Sequence, residues 1–114
     1  MKSSWCSFLL ITFFASTTLQ AAEKLRYVIL VDDGKQAGEQ IVEQTADGLT
    51  KVHFIFKDNG RGPELDEEFR LADDGTFSEY RVKGNSTFGA VVDDRFTRKN
   101  NVATWTSTSE KGSA

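Results

Sequence analysis

The stretch Val52-His53-Phe54-Ile55-Phe56-Lys57-Asp58-Asn59-Gly60-Arg61-Gly62-Pro63-Glu64-Leu65-Asp66-Glu67-Glu68-Phe69-Arg70-Leu71 decides the fold. Val52, Phe54 and Phe56 recur at every second position, opposite His53, Ile55 and Lys57. That period is the one a β-strand imposes, because successive side chains point to opposite faces. Asn59-Gly60 tolerates positive φ, as a tight hairpin requires. Beyond it Leu65, Phe69 and Leu71 alternate with Asp66, Glu68 and Arg70. The segment therefore reads as two antiparallel strands, each apolar on one face and polar on the other.

The same punctuation recurs on either side. Asp33-Gly34, Asp47-Gly48 and Asp74-Gly75 join Asn59-Gly60 in a series spaced 12 to 15 residues apart, and Asn100-Asn101 serves a last hairpin. Leu25, Tyr27, Ile29 and Val31 alternate with Arg26, Val28 and Leu30; Tyr80 and Val82 alternate with Glu79 and Arg81. No window carries an apolar stripe of helical period. The expected fold is all-β, a curved antiparallel up-and-down meander of about seven strands after a helical signal peptide. Those strands are expected near 24–32, 36–45, 49–58, 63–72, 76–84, 88–98 and 101–108. Such a sheet must curl over its own apolar face or cover that face with another domain.

Residues 1–21 read as the signal peptide. Lys2 gives a short positive start, and Trp5 to Ala15 is an uncharged run of eleven residues. A spanning helix needs about 20 apolar residues, whereas a secretory h-region needs only ~7–15. Cleavage is expected after Ala21 or Ala22. Cys6, the only thiol, lies too early for a lipoprotein and would leave with the signal. The mature chain is expected to be exported to the periplasm or beyond, without disulfides and without membrane attachment. Its β domain is expected over 22–108, and 109–114 reads as a linker-like tail in which the chain is truncated.

Composition narrows the function. The 114 residues carry 14 basic and 17 acidic side chains, a net charge of −3, with one Cys and one His. No basic stripe is present for nucleic acid, so Phe54, Phe56, Phe69, Phe77, Phe88, Phe96 and Trp105 are expected mostly in the core. His53 reads as a surface-facing strand residue, since a catalytic base would need an orienting acid and a metal site further ligands. Asp32-Asp33, Asp73-Asp74, Asp93-Asp94 and the acidic run at Glu64 lack the spacing of a calcium loop. They read as turn and solvating residues. Asn85-Ser86-Thr87 is a glycosylation sequon, relevant only in a eukaryotic secretory host. The run Asn59-Gly60-Arg61-Gly62-Pro63 lacks the Lys-Ser/Thr of a phosphate loop. As a whole it reads as a wide turn with Pro63 opening the next strand, and Arg61 and Pro63 are the candidate interdomain contacts.

Several stretches together resemble the N-terminal β region of secreted bacterial amidohydrolases, in the metal-dependent hydrolase superfamily. They are Tyr27-Val28-Ile29-Leu30 with Gly34 to Gln40, Phe54 to Pro63, Val92 to Phe96, Ala103 to Ser107, and Glu110-Lys111-Gly112. The resemblance spans about residues 25–112. It implies an exported β region preceding a metal-binding (β/α)₈ barrel, which would hold a divalent metal such as zinc. Such barrels display His-x-His, further metal-binding His residues and an Asp. This chain has only His53, and a barrel takes ~200 residues or more. No catalytic, cofactor or metal-binding residue is therefore carried over.

Three functional classes follow. In the first, the chain is a non-catalytic domain packed on a C-terminal barrel. In the second, it is a stand-alone periplasmic module cradling an apolar ligand on a curved sheet. The third is a small enzyme using acids on the sheet, which the composition favours least.

Overall fold

The computed structural model describes residues 22–114. The signal-peptide reading of 1–21, with Cys6 and Ala21, falls outside them. Ala22 immediately precedes the first strand.

The fold is all-β, with no helix among the described residues. The strands are β1 (Glu23–Val31), β2 (Lys35–Gln44), β3 (Thr50–Phe56), β4 (Glu64–Leu71), β5 (Phe77–Asn85), β6 (Val91–Lys99), β7 (Val102–Thr106) and β8 (Lys111–Ser113). They form one open antiparallel sheet in the order β1-β2-β3-β4-β5-β6-β7-β8. Each strand thus pairs with its neighbours in sequence, as expected of a meander.

Two turn devices build six of its seven connections. Four hairpins close with a glycine in the left-handed region, at Gly34 (φ 79), Gly48 (φ 84), Gly75 (φ 80) and Gly89 (φ 83). In each, the glycine N–H donates to a carbonyl three residues earlier, on Val31, Thr45, Ala72 and Ser86 respectively. This is the three-residue loop in which a type I turn is followed by a left-handed residue. The other device is a two-residue turn with both residues at positive φ. It is made by Asn59 (φ 50) with Gly60 (φ 75) and by Asn100 (φ 50) with Asn101 (φ 62). Asn and Gly adopt this conformation at least cost.

Three expectations need correction. There are eight strands rather than seven, because 111–113 of the supposed linker-like tail pair with β7 through Thr104↔Ser113, Trp105↔Gly112 and Thr106↔Lys111. The Trp105 ring lies over Gly112, where an added Cβ would come within 2.4 Å of it. Gly112 thus leaves the room that lets the indole cover the last strand. Next, the Asn59-Gly60 turn is tight, not wide. Asp58 N–H donates to the Arg61 carbonyl at 2.8 Å and Arg61 N–H returns the bond to Asp58 at 3.0 Å. Finally, Phe88 is not a core residue. It occupies the β5–β6 turn and is 86% exposed.

Register fixes the faces. Leu25, Val42 and Val52 lie in line with Glu67, Val82 and Asp94. Thr50, Phe69, Tyr80, Phe96, Trp105 and Gly112 form a second row on that face. On the opposite face Lys51, Glu68, Arg81 and Arg95 are in line, as are Ile41, His53, Asp66, Lys83 and Asp93. One face is aromatic and aliphatic; the other carries charged side chains of both signs among a few aliphatic ones.

The core is thin. Val82, at 7% exposure, is the one buried hydrophobic side chain among the described residues. Phe54, Phe56, Phe69, Phe96 and Trp105 are only half-buried. A single sheet shields its side chains sideways, against neighbouring strands, and leaves their outer surface open.

Candidate functional site

The aromatic face gathers Phe54, Phe69, Tyr80, Phe96 and Trp105 on one side of the sheet. Phe69 and Phe77 meet edge to face with ring centroids 5.3 Å apart, and Phe77 and Tyr80 are also 5.3 Å apart at a 57° tilt. Such contacts contribute about 0.5–1.5 kcal/mol each beyond the area they bury. Tyr80 Oη donates to Glu67 Oε2 at 3.0 Å. Burial first, and the neighbouring Glu67 charge second, push the Tyr80 phenol up to about 12. Glu67 and Asp94 flank Val82 on this face, so two carboxylates stand among its apolar side chains.

The charged face holds His53. Its Nδ1 lies 2.7 Å from Asp66 Oδ1, and Lys83 reaches Asp93 at 3.8 Å. Arg26 Nε donates to Glu39 Oε2 at 2.7 Å, and Lys51 approaches Glu68 at 3.8 Å. His53 therefore has the orienting acid that a general base needs, supplied by the facing strand. The pair lines a hollow with Ile41, Glu43, Lys51, Val52, Glu67 and Glu68. None of those neighbours is a hydroxyl or thiol that His53 could deprotonate, and the Asp66 side chain is 73% exposed. This His–Asp pair forms one rung of the cross-strand ladder. Among the described residues no group of three or more His, Cys, Asp or Glu side chains is placed to hold a metal ion.

The acidic pairs separate by position. Asp32-Asp33 and Asp73-Asp74 sit in turns, whereas Asp93 and Asp94 are successive residues of β6 and point to opposite faces. At the end of the sheet holding the β2–β3 and β4–β5 turns, Arg70 donates to the Asp47 carbonyl at 2.7 Å and to Asp47 Oδ2 at 2.8 Å. Thr45 Oγ1 bonds the same carboxylate, and together these hold Asp47 well below the usual carboxylate range. Asp74 is lowered to about 2 by the Thr76 hydroxyl and backbone N–H, with Arg98 behind them.

The opposite end gathers the turns that contain Arg61 and Phe88. Lys57, Gly60, Arg61 and Gly62 face Asn85 to Gly89 across a cleft of about 530 Å³. Lys57 Nζ donates to the Gly62 carbonyl at 2.7 Å, tying the tip to β3. Gly62, at φ 148, lies so close to the Phe56 carbonyl that a Cβ would stand 1.9 Å from it. Arg61 is exposed and Pro63 half-buried. The structure thus places Arg61 and Phe88 on one cleft, a neighbourhood the sequence reading did not give. The available signal was Gly89, three residues after Ser86, which repeats the spacing of the other turns.

No family model, curated protein or solved structure matches this chain.

Proposed function

We propose that the chain is a non-catalytic β domain of an exported metal-dependent amidohydrolase, and that its aromatic face is the surface on which the catalytic barrel packs. One observation carries the reading: an eight-stranded sheet with a wide aromatic face has a single buried hydrophobic side chain among its described residues. Surfaces of this kind mark interaction sites in soluble proteins. Phe54, Phe69, Phe96 and Trp105 supply the apolar centre of the interface, Glu67 and Asp94 meet donors from the barrel, and Arg61, Pro63 and Phe88 make a rim contact. Aromatic and Arg side chains are the types that anchor interfaces. The catalytic divalent metal, such as zinc, belongs to the barrel in this reading, and this chain contributes no ligand to it. The family assignment rests on the sequence resemblance.

The apolar-carrier reading has less support. A hollow bordered by Leu49, Phe69, Tyr80 and Phe96 measures about 180 Å³, below the roughly 300–1,000 Å³ of ligand pockets. The test is reconstitution. A barrel from an amidohydrolase of this type, supplied in trans, should bind the chain and suppress its fluorescence with a hydrophobic dye. It should bury roughly 600–1,500 Å², as interdomain contacts do. A chain that neither binds such a barrel nor takes up dye, and that copurifies with an apolar small molecule, would reverse the choice.

A further inference from the structure

We propose that the cleft between the β3–β4 and β5–β6 turns binds a phosphate monoester carried on an aromatic or other apolar body. By sequence the run Asn59 to Pro63 is no phosphate loop, since no Lys-Ser/Thr follows its glycines. The fold supplies the missing groups from elsewhere. Lys57 stands just after β3, and Ser86 and Thr87 arrive on the β5–β6 turn, so that cations, hydroxyls and glycines meet in one hollow. Its volume of about 530 Å³ lies within the roughly 300–1,000 Å³ of ligand sites.

Charge gives the ligand its sign. The chain carries 17 acidic and 14 basic residues, yet this cleft is lined by Lys57 and Arg61 and by no Asp or Glu. Asp58 and Glu64, adjacent to the turn in sequence, are not among its lining residues. Arg61 is exposed and has no ion-pair partner among the described residues. Lys57 gives one donor to the Gly62 carbonyl at 2.7 Å, which holds the ammonium at the cleft and leaves two donors over. A phosphate monoester carries about −1.5 to −2 charges at pH 7 and three strong acceptor oxygens. Two cations match that charge, and a guanidinium can engage two phosphate oxygens at once. The Ser86 and Thr87 hydroxyls supply further donors. A carboxylate would bring one charge and two oxygens to the same groups.

Phe88 sets the rest of the ligand. Its ring lines the same cleft and is 86% exposed at a hairpin tip. A flat or apolar body attached to the phosphate would cover that ring and remove its area from water. Gly60 and Gly89 keep the hollow open, since an added Cβ at either would meet nothing within 4 Å. The site does not depend on the barrel reading. A bound phosphoester would occupy the rim which that reading gives to Arg61 and Phe88.

The experiment is an amide chemical-shift titration of the full chain, expressed with its N-terminal segment in place, near pH 7.5. Phenyl phosphate should bind with a dissociation constant of about 1 mM or tighter, shifting residues of the two turns. Inorganic phosphate, without a ring, should bind about three- to tenfold more weakly. Benzenesulfonate, with a ring and a single charge, should bind more than about threefold more weakly. Arg61→Gln should weaken phenyl phosphate by more than about tenfold, and Phe88→Ala should bring it down to the level of inorganic phosphate. Lys51→Gln, on the charged face, should leave it within about twofold. Both Arg61 and Phe88 are exposed, so the variants should keep the β-type far-UV spectrum. The same chemistry occurs on a lipid headgroup, and cosedimentation with phosphatidylcholine vesicles, with and without phosphatidic acid, separates the sources. Sedimentation that needs phosphatidic acid and Arg61 puts the phosphate on a lipid; phenyl phosphate binding without it puts the phosphate on a soluble ester. A chain whose turns do not respond to about 20 mM phenyl phosphate, and which ignores the vesicles, overturns the proposal. Benzenesulfonate binding as tightly as phenyl phosphate overturns the phosphate class. Equal losses in Arg61→Gln and Lys51→Gln overturn the site, since the anion would then answer to overall charge.

Discussion

The aromatic face and the charged face share every strand of this sheet, yet they are held by different forces. On the charged face, His53 meets Asp66 at 2.7 Å and Lys83 meets Asp93 at 3.8 Å, both across a strand boundary and both open to water. Exposed pairs of this kind contribute about 0–1 kcal/mol, and salt screens them. The aromatic face depends instead on area removed from water, at roughly 25 cal/mol per Å², and among the described residues only Val82 has given up nearly all of its area. A polar face is solvated by water even where like charges adjoin, as Arg81 and Arg95 do. The difference teaches that most of the charged side chains meet water directly, whereas the apolar side chains of the other face gain only as much as the sheet itself shields.

The sharpest way to break the comparison uses two successive residues of β5. Val82→Asp would set a third carboxylate between Glu67 and Asp94 at the best-shielded point of the sheet. Burial of an unpaired charge costs several kcal/mol or shifts its pKa, so this variant should lose its cooperative urea transition. Lys83→Gln, on the opposite face, should shift stability by less than about 0.5 kcal/mol. Equal losses at both positions would mean that the two faces are not held differently. Next in size is Phe96→Ala. It should cost about 1–3 kcal/mol, less than a fully buried Phe would, because the ring is half-buried. It should also lower dye binding, a readout that a purely structural loss would raise.

Titration separates the faces again. Tyr80, on the aromatic side, has its folded pKa raised to about 12 from 10. The stability it contributes is therefore complete below pH 10 and falls as the pH climbs from 10 to 12. Thermal melts across that range should show a loss that Tyr80→Phe reduces. Asp47 and Asp74 behave oppositely. Their folded values lie below 3.8, so their contribution is present above that pH and disappears as the pH falls through about 2 and lower. Asp74→Asn should flatten the acid limb slightly. The smallest expected effect is that of His53→Ala, within about 0.5 kcal/mol and with an unchanged β-type spectrum.

The turns were legible in the sequence for a chemical reason. Gly34, Gly48, Asn59-Gly60, Gly75 and Asn100-Asn101 occupy backbone conformations that few other residues accept, and their spacing gave the meander. The β5–β6 turn was obscured by Phe88, whose type suggests a core and whose place is a hairpin tip. β8 was hidden because Lys, Gly and Ser have little strand propensity of their own. The ring that covers it, Trp105, belongs to the strand before it. Similarly, the period-two pattern assigned Tyr80 and Phe69 to a face but could not place Glu67 under the Tyr80 hydroxyl. Register between strands is long-range information, carried by the turns jointly and by no one segment. Arg61 was singled out as a contact residue from its loop, and the cleft it shares with Phe88 likewise needed the fold.

The strand order has a mechanical consequence. Because every strand pairs with its sequence neighbours alone, a disturbance at one hairpin reaches the rest of the sheet only through the strand beside it. The molecule is a row of coupled links, like a repeat array in which each unit contacts the next. Hydrogen exchange should therefore grade along the chain, slowest around β4–β6 and fastest at β8, instead of separating protected from unprotected layers. In such a row, a body laid across the aromatic face would do more than cover it: by bridging strands that do not touch each other, it would turn a linear series of contacts into a cooperative whole.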